Sequence, residues 1–118
     1  MTTDALQENS FIPINIEPRI DALLAQSDEH SAKHAETVVS GPGLTVTIIA
    51  LRSGASLHEH AAAGDAVLIG LRGRVKVHGK TGGSTELRPG QLVALGAGNR
   101  HNARAEEDSA FLLVLRHG

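Results

Sequence analysis

The segment Ser56-Leu57-His58-Glu59-His60 sets two imidazoles two residues apart. On an extended strand, positions two apart point to the same face, so His58 and His60 converge on one ion if this segment is a regular strand. Neutral imidazole is a good ligand for zinc, copper, iron or nickel. Two surface histidines would look the same, and spacing alone pairs no third residue with them. His101 is the strongest further candidate. It follows the turn Gly96-Ala97-Gly98-Asn99, and a turn of that kind delivers a strand-opening side chain into the mouth of a barrel.

The other histidines read as solvated. His78 shares strand phase with Arg72, Arg74 and Lys76. His30 and His34 have the i,i+4 spacing of a helical chelate, but they lie among Asp28, Glu29, Lys33 and Glu36. His117 is the penultimate residue and is expected to fray. Other chemistry is poorly supplied. Cysteine is absent, which excludes thiolate catalysis, disulfides and zinc–thiolate sites, so any metal must be held by nitrogen and oxygen. No G-x-S-x-G elbow is present, and the glycines around Arg72 and from Gly79 to Gly83 match hairpin turns rather than a phosphate-cradling loop.

The elements that must position these residues change character at Gly41-Pro42-Gly43. Before it, Glu17-Pro18-Arg19 with Ile20, Leu23 and Leu24 predicts a short amphipathic helix near Pro18 to Gln26, since proline is tolerated in a first turn. Ala35 to Ser40, with its Thr37-Val38-Val39 core, could be a first strand, and Asp28 to Glu36 a loop or a continuation of the helix. After it come short β-type runs separated by glycine turns: Leu44 to Leu51, Ala66 to Leu71, Val75 to Val77, Thr85 to Leu87, Gln91 to Leu95 and Ser109 to Leu115. Strands this short and this regularly spaced predict an all-β sandwich or barrel. The expected organisation is an N-terminal segment over 1–43 and a barrel over 44–118.

Composition sets the outer limits. With 118 residues there is room for one core, and it must be aliphatic because Phe11 and Phe111 are the only aromatic residues. A net charge of −2 and no Trp or Tyr argue against nucleic-acid binding. No apolar run is long enough to cross a bilayer, and the polar start from Met1 to Ser10 does not read as a secretory signal, so a cytoplasmic protein is expected. Two runs, Ile48 to Leu51 and Phe111 to Leu115, are apolar in both strand phases and need cover on both faces. That predicts a two-fold homodimer, unless Phe11 to Leu24 folds back over the outer face.

Taken together, these residues resemble the cupin superfamily, whose first motif is roughly G-x5-H-x-H-x3,4-E-x6-G and whose second is G-x5-P-x-G-x2-H-x3-N. This chain offers His58-Glu59-His60, Asp65 and Gly73 for the first, and Gly90 through Gly98 to His101 for the second. The resemblance covers about Leu44 to Leu115 and is to the small single-domain cupins. It departs at Gly54, which lies too close to His58, at Gly96 in place of the motif proline and at Ala105 in place of the motif asparagine. The glutamate position falls on Asp65 counted from His60, and on Ala66 counted from Gly73. Asp65 shares strand phase with Val67, Ile69 and Leu71, which favours an inward direction; a turn aspartate facing water is the alternative.

The resemblance implies a small jelly-roll-like β-barrel with a short N-terminal helix. It further implies a divalent metal ion (Zn, Fe, Ni, Mn or Cu) on His58, His60 and His101, with Asp65 as a fourth ligand if it takes the glutamate's place and an open three-histidine site if Ala66 does, and a small-molecule ligand in the barrel. Metal-dependent oxygenase or isomerase chemistry is one alternative, and a non-catalytic dimerisation or ligand-sensing barrel with vestigial histidines is another.

Overall fold

The computed structural model describes residues 4–26, 32–80 and 82–117, and for Asp4, Ala5, Glu59 and His60 the backbone alone. Its elements are β1 (Asp4–Ala5), α1 (Ile16–Gln26), β2 (Lys33–Ser40), β3 (Leu44–Leu51), β4 (Ser56–Ala61), β5 (Ala66–Arg72), β6 (Val75–Gly79), β7 (Ser84–Leu87), β8 (Leu92–Leu95), β9 (Arg100–Ala105) and β10 (Ser109–Arg116). The strands form two sheets, ordered β1-β2-β3-β10-β5-β8 and β4-β9-β6-β7, antiparallel throughout except for β1 on β2. The all-β architecture expected from the sequence is therefore present, with one short helix beside it.

The two apolar phases of β3 and β10 are buried for different reasons. Ile49, Leu51 and Phe111 face the interior between the sheets, where they meet Leu68, Val75, Val77, Leu87 and Leu95. Ile48, Ala50 and Ala110 face outward and are covered by Ile20 and Leu23 of α1 together with Val38. The helix thus folds back onto the outer face within one chain, as apolar burial requires of a stripe with a covering element at hand. Charges fix its position. Arg72 donates to Asp21 at 2.8 Å and also to Glu17, while Arg19 pairs with Glu36 of β2. Hydrogen bonds to those two carboxylates push the Arg72 pKa upward from its ordinary value.

The Gly41-Pro42-Gly43 punctuation is the turn between β2 and β3, closed by Gly41 N–H to the Leu44 carbonyl at 2.7 Å. The strand before it is longer than expected and pairs with β3 along its length, so the segment before residue 44 contributes a strand to the larger sheet. His34 lies on this strand rather than on a helix; His30 is outside the described residues. His117 is tied down rather than frayed, its N–H on the Gly43 carbonyl at 2.9 Å and its Nε2 3.1 Å from Thr45 Oγ1. No described helix is long and apolar enough to cross a membrane.

Candidate site in the barrel mouth

The site begins with the pairing of β4 on β9. Ser56 opposes Arg104 and Leu57 opposes Ala103, but the next partners are His60 and His101. Three residues advance on β4 while two advance on β9, so β4 carries one extra residue, a β-bulge at His58 and Glu59. Here the same-face argument for His58 and His60 meets its limit. Alternation holds along a regular strand, and a bulge resets it.

His101 opens β9 on the inner face. The residue is 6% exposed and lines a cavity of about 190 Å3 with Ala61, Ala62, Ala63, Ala66, Leu95, Leu113 and Leu115. The expected turn before it is present and is bound to the end of β4. Ala62 N–H donates to the Asn99 carbonyl at 2.9 Å, and Gly98 N–H to the Ala62 carbonyl at 2.8 Å. Gly98 has φ +83°, a left-handed conformation that glycine adopts without the Cβ penalty. His101 Nδ1 lies 3.3 Å from the Asn99 carbonyl oxygen. A carbonyl accepts only, so Nδ1 donates in that contact. A backbone carbonyl on one ring nitrogen is a common way of orienting a histidine side chain.

The remaining candidates fall in different places. His60 is the register partner of His101, and its side chain lies outside the described residues. His58 is exposed and lines an outer hollow with His78, Asn102 and Arg104, on the opposite face of the sheet from His101. Asp65 is also exposed, its side chain 63% accessible. Its Oδ1 accepts from Ala97 N–H at 3.0 Å and its Oδ2 lies 3.7 Å from Arg116 Nη1. The inner phase of β5 is Ala66, Leu68 and Gly70, so Ala66 and not Asp65 faces the cavity. The inward direction argued from Val67, Ile69 and Leu71 is the outer phase. The structure brings His101 and the His60 backbone together, and brings neither His58 nor Asp65 to them. Among the described residues no group of three or more His, Asp or Glu is disposed to hold a metal.

Sequence reasoning missed the alanine lining, Ala61 to Ala63 with Ala66, which makes room for a ligand where larger side chains would fill the barrel mouth. A run of four small residues, counting Gly64, directly after the His-x-His segment was the available signal.

No protein-family model matches the chain, and no curated protein matches it. Solved structures do. A cupin superfamily protein from Desulfitobacterium hafniense superposes with a TM-score of 0.74 at 14% identity, covering 100% of both chains. A conserved protein of unknown function from Streptococcus pyogenes gives 0.70 at 21% identity, covering 100% of this chain and 96% of the other. KdgF from Halomonas gives 0.68 at 22% identity, covering 76% and 83%. These likenesses show the fold: it is that of a small cupin.

Proposed function

We propose that this protein is a metal-binding small cupin that takes a divalent ion and a small molecule in the barrel mouth. The observation that supports the reading is His101, a buried imidazole in a cavity otherwise lined by alanine and leucine, with Nδ1 turned to a backbone carbonyl. A polar ring in such a place costs desolvation that a leucine would not, and ligation would offset that cost. The donor set fits in part. His101 and its register partner His60 would hold the ion, and His58 would join them if the bulge relaxed toward regular alternation. Asp65, engaged by Ala97 and Arg116, is left outside the set. When bound, the ion would supply open positions that polarise a ligand oxygen. The cavity, about 190 Å3, is smaller than the roughly 300–1,000 Å3 that accommodates drug-sized ligands, so its occupant is an ion with a compact molecule of few atoms.

Elemental analysis of protein purified without a histidine tag, with His101→Ala, His58→Ala and Asp65→Ala beside it, tests this. The expected result is close to one equivalent of metal, lost in His101→Ala, weakened in His58→Ala and kept in Asp65→Ala and in a His78→Ala control. A metal-free protein that takes up none of Zn, Fe, Ni, Mn or Cu on dialysis refutes the proposal. The exposed position of His58 favours a second reading, a metal-free barrel that binds a small apolar molecule with His101 as a polar handle. Ligand uptake unaffected by chelator would select it.

A further inference from the structure

The outer face of the β4-β9-β6-β7 sheet carries charge that the barrel mouth does not explain. Residues alternate there with the buried Val75, Val77, Ala103 and Ala105, so Lys76, His78, Asn102 and Arg104 point outward. Register sets Lys76 directly beside Arg104, and His78 directly beside Asn102. Like charges on directly opposed strand positions repel. No ion pair among the described residues engages Lys76 or Arg104. Glu86, across from Lys76, is held by Arg88 at 2.7 and 3.0 Å and feels Lys76 only as a weaker attraction, and Glu106 stands one row beyond Arg104, opposite Arg74. Between these rows lies a hollow of about 370 Å3, lined by Ser56, His58, His78, Asn102 and Arg104 with the strand backbone of Leu57 and Ala103, and by no described carboxylate.

Guanidinium, imidazole, amide and hydroxyl groups that line one hollow with no described carboxylate among them, beside the Lys76 ammonium, offer hydrogen-bond donors to an oxyanion. The whole chain has a net charge of −2, so this cationic row is local and owes nothing to an overall basic composition. We propose that the hollow is a binding site for a small oxyanion of the phosphate class, either free phosphate or a phosphate monoester. Arg104 and Lys76 supply the charge from one row, and His78 and Asn102 donate from the next. The site lies on the opposite face of β9 from His101, and it stands whether or not metal binds in the barrel.

The test is a titration of the full chain with inorganic phosphate and, separately, with glycerol 3-phosphate, followed by the imidazole signals of His78 at constant ionic strength and pH. A saturable shift is expected, absent with chloride. Arg104→Gln should weaken it about ten-fold, the loss of one charge-assisted hydrogen bond, and adding Lys76→Gln should weaken it further. All of these side chains sit on the sheet surface, and unchanged thermal midpoints establish that the variants fold. Tighter binding of the monoester supports the site and makes an organic phosphate its ligand; equal binding supports it and makes free phosphate sufficient. A shift that stays linear in phosphate, one reproduced by chloride, or one untouched in the double variant overturns the proposal. So does tight binding of a short oligonucleotide without saturable binding of phosphate, which would make the face a polyanion surface instead.

Discussion

Replacing His101 with leucine separates a residue kept for binding from one kept for stability. The imidazole is buried among Ala61, Ala62, Ala63, Ala66, Leu95, Leu113 and Leu115, with Nδ1 on the Asn99 carbonyl. Removing that hydrogen bond costs about 0.5–1.5 kcal/mol. The Asn99 carbonyl still accepts from Ala62 N–H at 2.9 Å, so no orphaned acceptor is left. Fully burying a leucine is worth about 1.5–3 kcal/mol, of which the imidazole's own ring carbons already supply a part. The difference runs from neutral to about 1.5 kcal/mol in favour of leucine. For 118 residues, at about 2.1 cal/mol/K per residue, each kcal/mol moves the thermal midpoint by about 4 °C. His101→Leu should therefore melt at the wild-type temperature or up to about 6 °C above it, measured in chelator so that metal does not contribute. The same variant should lose any rise in midpoint that added zinc or manganese gives the wild type. A loss of more than about 2 kcal/mol would show that the histidine holds the barrel together, and the functional argument from its burial would fail.

Three further outcomes follow from the packing. Ile20 is fully buried under α1, so Ile20→Ala should cost about 2–5 kcal/mol in urea unfolding, whereas Arg72→Gln, which removes exposed ion pairs, should cost under about 1 kcal/mol; equal effects would mean that charge, not burial, docks the helix. Beyond the cover of α1 the outer face keeps Val67, Ile69 and Val114 half-buried and Leu92 58% exposed, so sedimentation should find a two-fold dimer that Leu92→Glu dissociates, and a micromolar monomer would refute it. Glu86 is held below its ordinary pKa of 4.5 by the hydrogen bond from Arg88, and in Arg88→Gln its carboxyl resonance should titrate at higher pH. The sign is that of a depressed acid: the interaction stabilises the fold above the ordinary value and is lost as pH falls through the folded one, and an unchanged titration would show the pair to be idle in solution.

Much of the fold was legible because glycine turns bracket the strands. Leu44–Leu51 is a strand between the bounds its pattern gives, and five other strands fall within a residue or two of the apolar runs. What escaped has physical causes. β2 reads Lys-His-Ala-Glu at its start, polar enough to pass for loop, yet backbone pairing with β3 holds it in the sheet while its side chains stay partly in water. The phase of β5 was not legible at all. With Ala66 to Leu71 apolar at both phases apart from a glycine, either set could face inward, and only the pairing with β8 and β10 decides it. Asp65 fell on the wrong side of that choice. The bulge in β4 was equally hidden, since an extra residue exists only relative to a partner strand.

That bulge matters beyond the limit it sets on strand alternation. β9 is a two-sided strand: His101, Ala103 and Ala105 face the interior, and Asn102 and Arg104 face the outer hollow. β4 runs beside it with the His60 backbone in register with His101 and His58 on the outer hollow, and one inserted residue divides the His-x-His segment. On a regular strand the two histidines would share one face, and the outer hollow would lose an imidazole from its wall. The position of His58 is therefore the hinge of both readings. An ion in the barrel favours the regular alternation that turns His58 inward, and an oxyanion in the hollow favours the bulged form that keeps it outside. Two ligands that prefer opposite forms of one segment weaken each other by the same factor. Phosphate should accordingly lower the affinity for metal, beyond what its own complexation of the ion removes, and the effect should vanish in His58→Ala. Equal antagonism in His58→Ala would show that the two faces do not communicate through this residue.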